Sequence, residues 1–153
     1  MLRISATPID AGLELAQFEQ RAPHAGGIVT FSGQVRPAAS KGSVITLHLQ
    51  AYSPMTEDGI EAAIAEANDR WALDQVLVLH RIGDMQPGET IVFVATASKH
   101  RRAAFEAADF LMDYLKTEAV FWKQEKTETE AYWIEPRDDD YADAARWTKK
   151  ESV

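Results

Sequence analysis

Strand-like segments occur in pairs along this chain, and two amphipathic segments separate the pairs. The strand-like segments cover residues 26–36, 43–52, 75–83, 90–97, 120–125 and 131–136. The connections between them are short, and MQPGE at 85–89 is long enough for an antiparallel hairpin. The order β-β-α-β-β-α-β-β therefore predicts an α+β domain with a largely antiparallel sheet.

Hydrophobic periodicity and capping residues support the first half of this assignment. Apolar and polar side chains alternate from Ile45 to Tyr52, which predicts a strand with one buried and one wet face. Ser53 followed by Pro54 predicts a helix start, with Ser53 as the N-cap. The helix then carries a core-facing stripe of Ile60, Ala63, Ile64, Ala67 and Trp71.

The second helix is predicted at about 99–117, with Ser98 as its cap. Its expected buried stripe consists of Phe105, Ala108, Met112 and Leu115. After the last strand, the acidic run at 138–143 is predicted to be solvated, and residues 141–147 are predicted to form a last helical turn.

Composition places the chain in a broad class. Its 153 residues, 46% of them apolar and with no linker-like tract, predict one domain over residues 1–153. The net charge of −8 argues against general nucleic-acid affinity, although aromatic residues beside Lys123 raise RNA binding as a weaker idea. Without an apolar run of signal-peptide or membrane-spanning type, the expected location is cytoplasmic.

Several kinds of chemistry are excluded by residue type. The chain has no cysteine, which removes disulfides, thiolate metal sites and cysteine nucleophiles. No His/Asp/Glu set has metal-ligand spacing, and no serine lies in a nucleophile-elbow context. We therefore expect no metal and no cofactor. His80, inside an apolar strand, is interpreted as a core or sheet residue.

Positive charge gathers in one part of this acidic chain. From Ser98 to Lys126 there are six Lys/Arg against five Asp/Glu, a balance of +1 that leaves −9 elsewhere. Lys99, His100, Arg101 and Arg102 stand at a helix N-terminus, where the macrodipole disfavours cations and favours anions. The run predicts a site for a phosphate or carboxylate, and the alternative is a set of solvated side chains.

Individual cations differ in what they indicate. Arg101 shares a helix face with Phe105, whereas Arg102 has Glu106 at i, i+4 and is the more plausible surface residue. Lys116 ends the helix, where a cation suits the dipole. Lys123 interrupts an apolar, aromatic stretch, so its pKa can be lowered by desolvation and the amine can act as acid, base or nucleophile. Protection of an edge strand is the other reading of Lys123.

The same residues carry a family resemblance. The segments VTFSGQVR, HRIGDMQPGETIVFVATA, SKHRRAAFEAADFLMDYLKTEAVFWKQE and YWIEPR resemble the catalytic large subunit of molybdopterin synthase, the MoaE family. The resemblance covers roughly residues 26–147. It implies an α/β hammerhead fold and a homodimer within a heterotetramer. It also implies a small ubiquitin-like sulfur-carrier subunit with a thiocarboxylated C-terminal glycine. The implied reaction transfers two sulfurs to cyclic pyranopterin monophosphate and forms the molybdopterin dithiolene.

Matching positions assign roles by resemblance. The residues that resemble those holding the pterin and its phosphate are Arg36, His100, Arg101 and Arg137, with Phe31 and Met112 as apolar wall residues. Lys116 and Lys123 resemble the lysines beside the incoming thiocarboxylate, and we expect Lys123 to be the main acid/base group and Lys116 to position the thiocarboxylate. After Arg36 this chain has Pro37-Ala38-Ala39, where relatives often have polar residues.

Helix geometry adds a hypothesis about how the site is assembled. Arg101 and Lys116 lie 15 residues apart on one helix, which separates their backbones by about 22 Å. A pterin is roughly half that long, so His100 and Arg101 are expected to complete the pocket of the other protomer. The alternative function is a non-catalytic module that binds a phosphorylated metabolite or docks the carrier.

Overall fold

The computed structural model describes residues 1–39 and 42–148. Within these residues the strands are β1 (Leu2–Ser5), β2 (Gly27–Gln34), β3 (Ala38–Ala39), β4 (Gly42–Ser43), β5 (Thr46–Ala51), β6 (Gln75–Arg81), β7 (Gly83–Met85), β8 (Thr90–Ser98), β9 (Phe121–Lys126) and β10 (Ala131–Trp133). The helices are α1 (Ala11–Arg21), α2 (Met55–Arg70), α3 (Arg101–Thr117) and α4 (Asp138–Ala145). The predicted single domain extends to residue 153, and its last five residues lie outside the described part.

Two four-stranded sheets form the framework. The first has the order β1-β6-β8-β2, in which only the β1–β6 pair is parallel. The second has the order β10-β9-β5-β7 and is antiparallel throughout. The predicted α+β class with a largely antiparallel sheet is confirmed. The predicted antiparallel pairing is confirmed by β6 and β8, but their connection is longer than residues 85–89, because β6 ends at Arg81 and Gly83–Met85 form β7 of the second sheet.

The first sheet is buried on both faces. Helices α2 and α3 cover one face through residues such as Ile60 and Leu111, which pack with Val78 and Val94. Helix α1 covers the other face, where Phe18 packs against Phe93. This double coverage explains why β6 and β8 are almost continuously apolar rather than alternating. The second sheet has its own smaller core around Leu49 and Met85.

Two N-terminal elements were not predicted from the sequence. β1 pairs with β6 through four residues, and α1 begins after Asp10, whose side chain accepts a hydrogen bond from the N–H of Leu13. Helix α1 buries only Phe18 completely, and the rest of its surface is partly or fully exposed. Ala11, Leu15, Phe18 and Ala22 pack on the first sheet at helical spacing, so a periodic signal for α1 was present in the sequence and was overlooked.

Both predicted serine caps are wrong. Helix α2 begins at Met55 with Pro54 at the N-cap, and the Ser53 hydroxyl donates instead to Glu57. Ser98 remains in β8, opposite Gly27, and its hydroxyl donates to the carbonyl of Ala72 at 2.8 Å. His100 is the N-cap residue of α3 and makes no side-chain cap bond. Helix α3 thus begins two residues later than predicted, because Ser98 remains paired in the sheet.

Other burial predictions need correction as well. Ile45, the residue before β5, is 46% exposed, and Phe105 is 59% exposed. The completely or nearly buried residues of α3 are Ala104, Ala107, Ala108, Phe110, Leu111 and Leu115. Met112 is only partly buried.

The acidic run at 138–143 is not uniformly solvated. Residues 138–145 form α4, which begins three residues earlier than the predicted last helical turn. Asp138 and Asp139 are exposed, whereas Asp140 is buried. No helix in residues 1–39 and 42–148 is long and apolar enough to cross a membrane.

The packing of α1 leads to a stability prediction. Replacing Phe18 (1% exposed) by Ala leaves a cavity against the first sheet, and the free energy of unfolding should fall by about 3–5 kcal/mol. Chemical denaturation with a far-UV circular dichroism signal measures this loss. Leu13→Ala on the same helix is the matched control, since Leu13 is 54% exposed and should cost less than about 0.5 kcal/mol. Equal losses for the two variants would contradict the packing described for α1.

Candidate active site

A cavity of about 630 Å³ lies between the two sheets at the C-terminal end of α3. Its wall comes from the segment after β2, from β5 and β9, from the end of α3, and from the chain that follows β10. Leu47 and Leu49 supply apolar surface, and Ala38 of β3 lies at the wall. Segments that are far apart in sequence therefore meet at one concave site.

Four cationic side chains line this cavity. They are Arg36, Lys116, Lys123 and Arg137. Glu125 and Glu135 are the carboxylates among its described lining residues, and Glu125 accepts a hydrogen bond from the hydroxyl of Tyr132 at 2.7 Å. Four cations against two carboxylates, in a molecule of net charge −8, make a site suited to an anion.

The register of β9 places Lys123 against the protein core. Lys123 lies opposite Leu49 in the antiparallel β5–β9 pair, and Leu49 is 1% exposed. The pKa of Lys123 is lowered to about 8, chiefly because burial removes water from the ammonium group and also because Lys116 has the same charge. The carboxylate of Asp140 opposes this shift. The desolvation predicted for Lys123 is confirmed.

His80 packs against Phe121, one of the residues that line the cavity. Its ring stacks on Phe121 with centroids 4.0 Å apart, and its Nδ1 lies 2.9 Å from the carbonyl oxygen of Arg81. Burial lowers the pKa of His80 to about 4, so the ring is neutral near pH 7. His80 is 3% exposed, which confirms its interpretation as a core residue.

Arg137 is tethered to the start of α4 by Asp140. The Asp140 carboxylate accepts hydrogen bonds from the Arg137 backbone N–H at 2.8 Å and from its guanidinium at 3.1 Å. Burial by itself would raise the pKa of Asp140, but these hydrogen bonds and the charge of Lys116 hold it below the usual value. Asp140 is therefore an ionised carboxylate next to two of the cavity cations, Arg137 and Lys116.

Neither His100 nor Arg101 lines the cavity. Both are exposed, and α3 runs from Arg101 to Thr117, with Lys116 at its other end. The start of α3 lies close to β2, since a Cβ atom placed on Gly27 would lie 3.4 Å from the Cα of Arg101. The predicted ion pair of Arg102 with Glu106 is present at 3.8 Å on the surface.

Phe31 and Met112 also lie away from the cavity. They line a second, shallower groove of about 360 Å³ between β2 and α3, together with Phe105. Phe31 and Phe105 are 44% and 59% exposed. Arg101 lies one helical turn before Phe105, so the groove and the cationic helix start share one exposed face.

The structure adds residues that sequence reasoning did not select. Trp122 and Trp133 line the cavity and meet edge to face with centroids 5.5 Å apart, and Tyr52 meets Trp122 at 6.0 Å. These three exposed aromatic side chains form a rim, which we call the aromatic rim. Trp122 pairs with Gln50, two residues before Tyr52, and Trp133 pairs with Gln124, two residues after Trp122. Strand alternation therefore places the three aromatic side chains on one face of the second sheet. Within residues 1–39 and 42–148, no group of three or more His, Asp or Glu side chains could hold a metal ion.

Comparison with known proteins agrees with this architecture. The family model described as "MoaE protein" matches residues 4–118. The "Molybdopterin synthase catalytic subunit" of Yersinia pestis is 45% identical over 146 residues, which cover 95% of this chain and 96% of that protein. The solved structure "Molybdopterin biosynthesis MoaE protein from Burkholderia ambifaria MC40-6" is 39% identical, with a TM-score of 0.82 and coverage of 98% of this chain and 99% of that one.

A second solved structure extends the comparison to a more distant relative. It is that of "Molybdopterin Synthase from Staphylococcus aureus", which is 27% identical to this chain with a TM-score of 0.78. It covers 86% of this chain and 95% of that one. The family model, the close relative and the two structures agree over most of the sequence, so this chain belongs to the MoaE family.

Proposed function

We propose that this chain is the catalytic subunit of a molybdopterin synthase. It transfers two sulfurs to cyclic pyranopterin monophosphate, one from the thiocarboxylated C-terminus of each of two small ubiquitin-like carrier subunits, forming the molybdopterin dithiolene. The observation that carries the proposal is Lys123, a desolvated amine with a pKa of about 8 in a cavity with three further cations. A site that only held a metabolite would have little use for such an amine.

The cations divide between the two reactants. Arg36 and Arg137 supply guanidinium donors for the phosphate, whose charge increases as its ring opens. Lys116, at the last turn of α3, holds the thiocarboxylate of the carrier. Lys123 exchanges protons as the carrier's sulfur attacks the pterin, and it stabilises the acyl-linked intermediate.

The lowered pKa suits this role for Lys123. At pH 8 about half of the Lys123 amines are neutral, whereas an ordinary lysine with a pKa of about 10.4 is less than about 1% neutral. A group whose pKa is close to the working pH can both accept and donate a proton at useful rates.

Substitution and pH together test this assignment. Lys123→Ala should lower the single-turnover rate of dithiolene formation by about 10²–10⁴-fold with a modest loss of pterin binding. The wild-type rate should show an inflection near pH 8, rising with pH if the neutral amine is required and falling if the ammonium is required. Lys126→Ala is the control, because Lys126 is an exposed lysine of the same strand. Unchanged turnover in Lys123→Ala would favour a non-catalytic binding or docking module.

A second copy of the chain completes the site in this proposal. His100 and Arg101 share an exposed face with the apolar groove of Phe31, Phe105 and Met112. An apolar face bordered by cations fits a twofold interface, across which His100 and Arg101 reach the phosphate end of the partner's cavity. Phe31 and Met112 then become wall residues of the composite pocket.

Mixed dimers test the shared site. Co-expression of a His100→Ala/Arg101→Ala variant with a Lys123→Ala variant should give mixed dimers, each with one intact site. Random pairing would restore about a quarter of the wild-type specific activity, although each variant alone is inactive. Pterin turnover by the purified mixture measures the recovery. Activity no higher than that of the separate variants would show that each site is built by one chain.

The aromatic rim is assigned to the carrier subunit. Tyr52, Trp122 and Trp133 are 42%, 49% and 54% exposed, and the two tryptophans are continuous with the cavity wall. Exposed tryptophans next to a cavity are typical of binding hot spots. A carrier seated there could extend its C-terminal tail toward Lys116 and Lys123.

Carrier affinity tests this surface. Trp133→Ala should weaken binding of the carrier about 10- to 100-fold, measured by calorimetry, because a tryptophan anchor loses its contact area. Leu13→Ala on α1, which removes a similarly exposed apolar side chain far along the chain, should leave the affinity unchanged. Wild-type affinity in the Trp133→Ala variant would exclude the rim as the docking surface.

A further inference from the structure

Asp140 is a buried carboxylate that has no assigned role in the proposed reaction. Its side chain is 8% exposed, whereas its neighbours Asp138 and Asp139 are exposed. A carboxylate buried at this level is stable only when it is ionised beside partners or protonated. Its hydrogen bonds to Arg137 and the charge of Lys116 favour the ionised form.

The position of Asp140 connects three of the four cavity cations. It bonds both the backbone and the guanidinium of Arg137, whose side chain is 70% exposed and lines the cavity. It also interacts electrostatically with Lys116 and Lys123, which belong to α3 and β9. Asp140 itself is not among the residues that line the cavity, so it acts on the cations without contacting a bound phosphate.

We propose that Asp140 is a positioning residue for sulfur transfer: it holds Arg137 at the cavity through two hydrogen bonds, and its fixed negative charge favours the ammonium form of Lys123. The proposal rests on the proposed function, in which Lys123 is the proton-exchanging group. Asp140 acts only through Arg137 and Lys123, and it does not contact the reactants.

The charge environment of Lys123 makes the effect of Asp140 identifiable. The side chains that interact electrostatically with Lys123 are Lys116, Asp140 and His80, and the other charged residues of the cavity are Arg36, Glu125, Glu135 and Arg137. Burial and Lys116 lower the pKa of Lys123, and Asp140 is the group that raises it. Removing only the charge of Asp140 should therefore favour the neutral amine further.

The test is a direct titration of Lys123 in the full-length protein. Lysine labelled with ¹³C and ¹⁵N reports the side-chain titration by nuclear magnetic resonance, and the Lys123 signal is assigned by its loss in Lys123→Arg. In Asp140→Asn the midpoint should move below the wild-type value of about 8. The inflection of the pH–rate profile should move in the same direction. Weakened anchoring of Arg137 should also raise the KM for the pterin about tenfold.

Two further variants separate charge from structure. Asp138→Asn removes an exposed acid from the first turn of the same helix and should titrate like the wild type. Asp140→Glu keeps the charge and should return the Lys123 midpoint toward the wild-type value even if the contact with Arg137 is displaced. If Asp140→Asn only loosened α4, water would return to Lys123 and its midpoint would rise instead.

The outcomes distinguish this inference from the proposed function. An unchanged or raised Lys123 midpoint in Asp140→Asn would overturn the role of Asp140, as would equal midpoints in the Asn and Glu variants. Full turnover in Lys123→Ala would overturn the proposed function whatever Asp140 does. The first result concerns a titration, and the second concerns activity, so neither can be mistaken for the other.

Discussion

Burial of strand β8 on both faces is the constraint from which the rest of the molecule follows. Val94 and Ala95 are completely buried, one beneath α3 and the other beneath α1. Because α3 must lie along this sheet, its two ends are held at opposite sides of the molecule. One end carries Lys116 at the cavity, and the other presents Arg101 to the surface. The position of the chemistry is thus a consequence of core packing.

The cavity concentrates like charge at some cost to stability. Desolvation disfavours ionisation of Lys123, and the like charge of Lys116 adds to the effect. Such an arrangement persists because the surrounding core determines the backbone positions of both residues. The negative charge of Asp140 offsets part of this repulsion, and in the proposed reaction an anionic substrate offsets more of it. A site that is electrostatically unsatisfied when empty is well suited to bind a phosphate and a thiocarboxylate.

Features that depend on a single helix or strand were predictable from the sequence, whereas contacts between elements were not. The strand around Leu47 and the helix that contains Leu111 were evident from periodicity, and the strands around Val78 and Val94 were evident as continuous apolar runs. Lys123 was identifiable because its own neighbours in sequence are aromatic. In contrast, Asp140 resembled the exposed acids beside it, since its burial depends on how α4 packs on α3. Phe105 matched a helical stripe that in fact faces the open groove.

The sequence by itself determined the α+β class, the concentration of cations in one region, the lack of any thiol, and membership in the MoaE family through motifs spread over most of the chain. Only the tertiary structure decided which cations share a cavity, because Arg36, Lys116, Lys123 and Arg137 come from four separate segments. It also decided the protonation of Lys123. The pKa of an amine depends on the water removed around it and on charges within a few ångströms, and neither quantity is a property of local sequence.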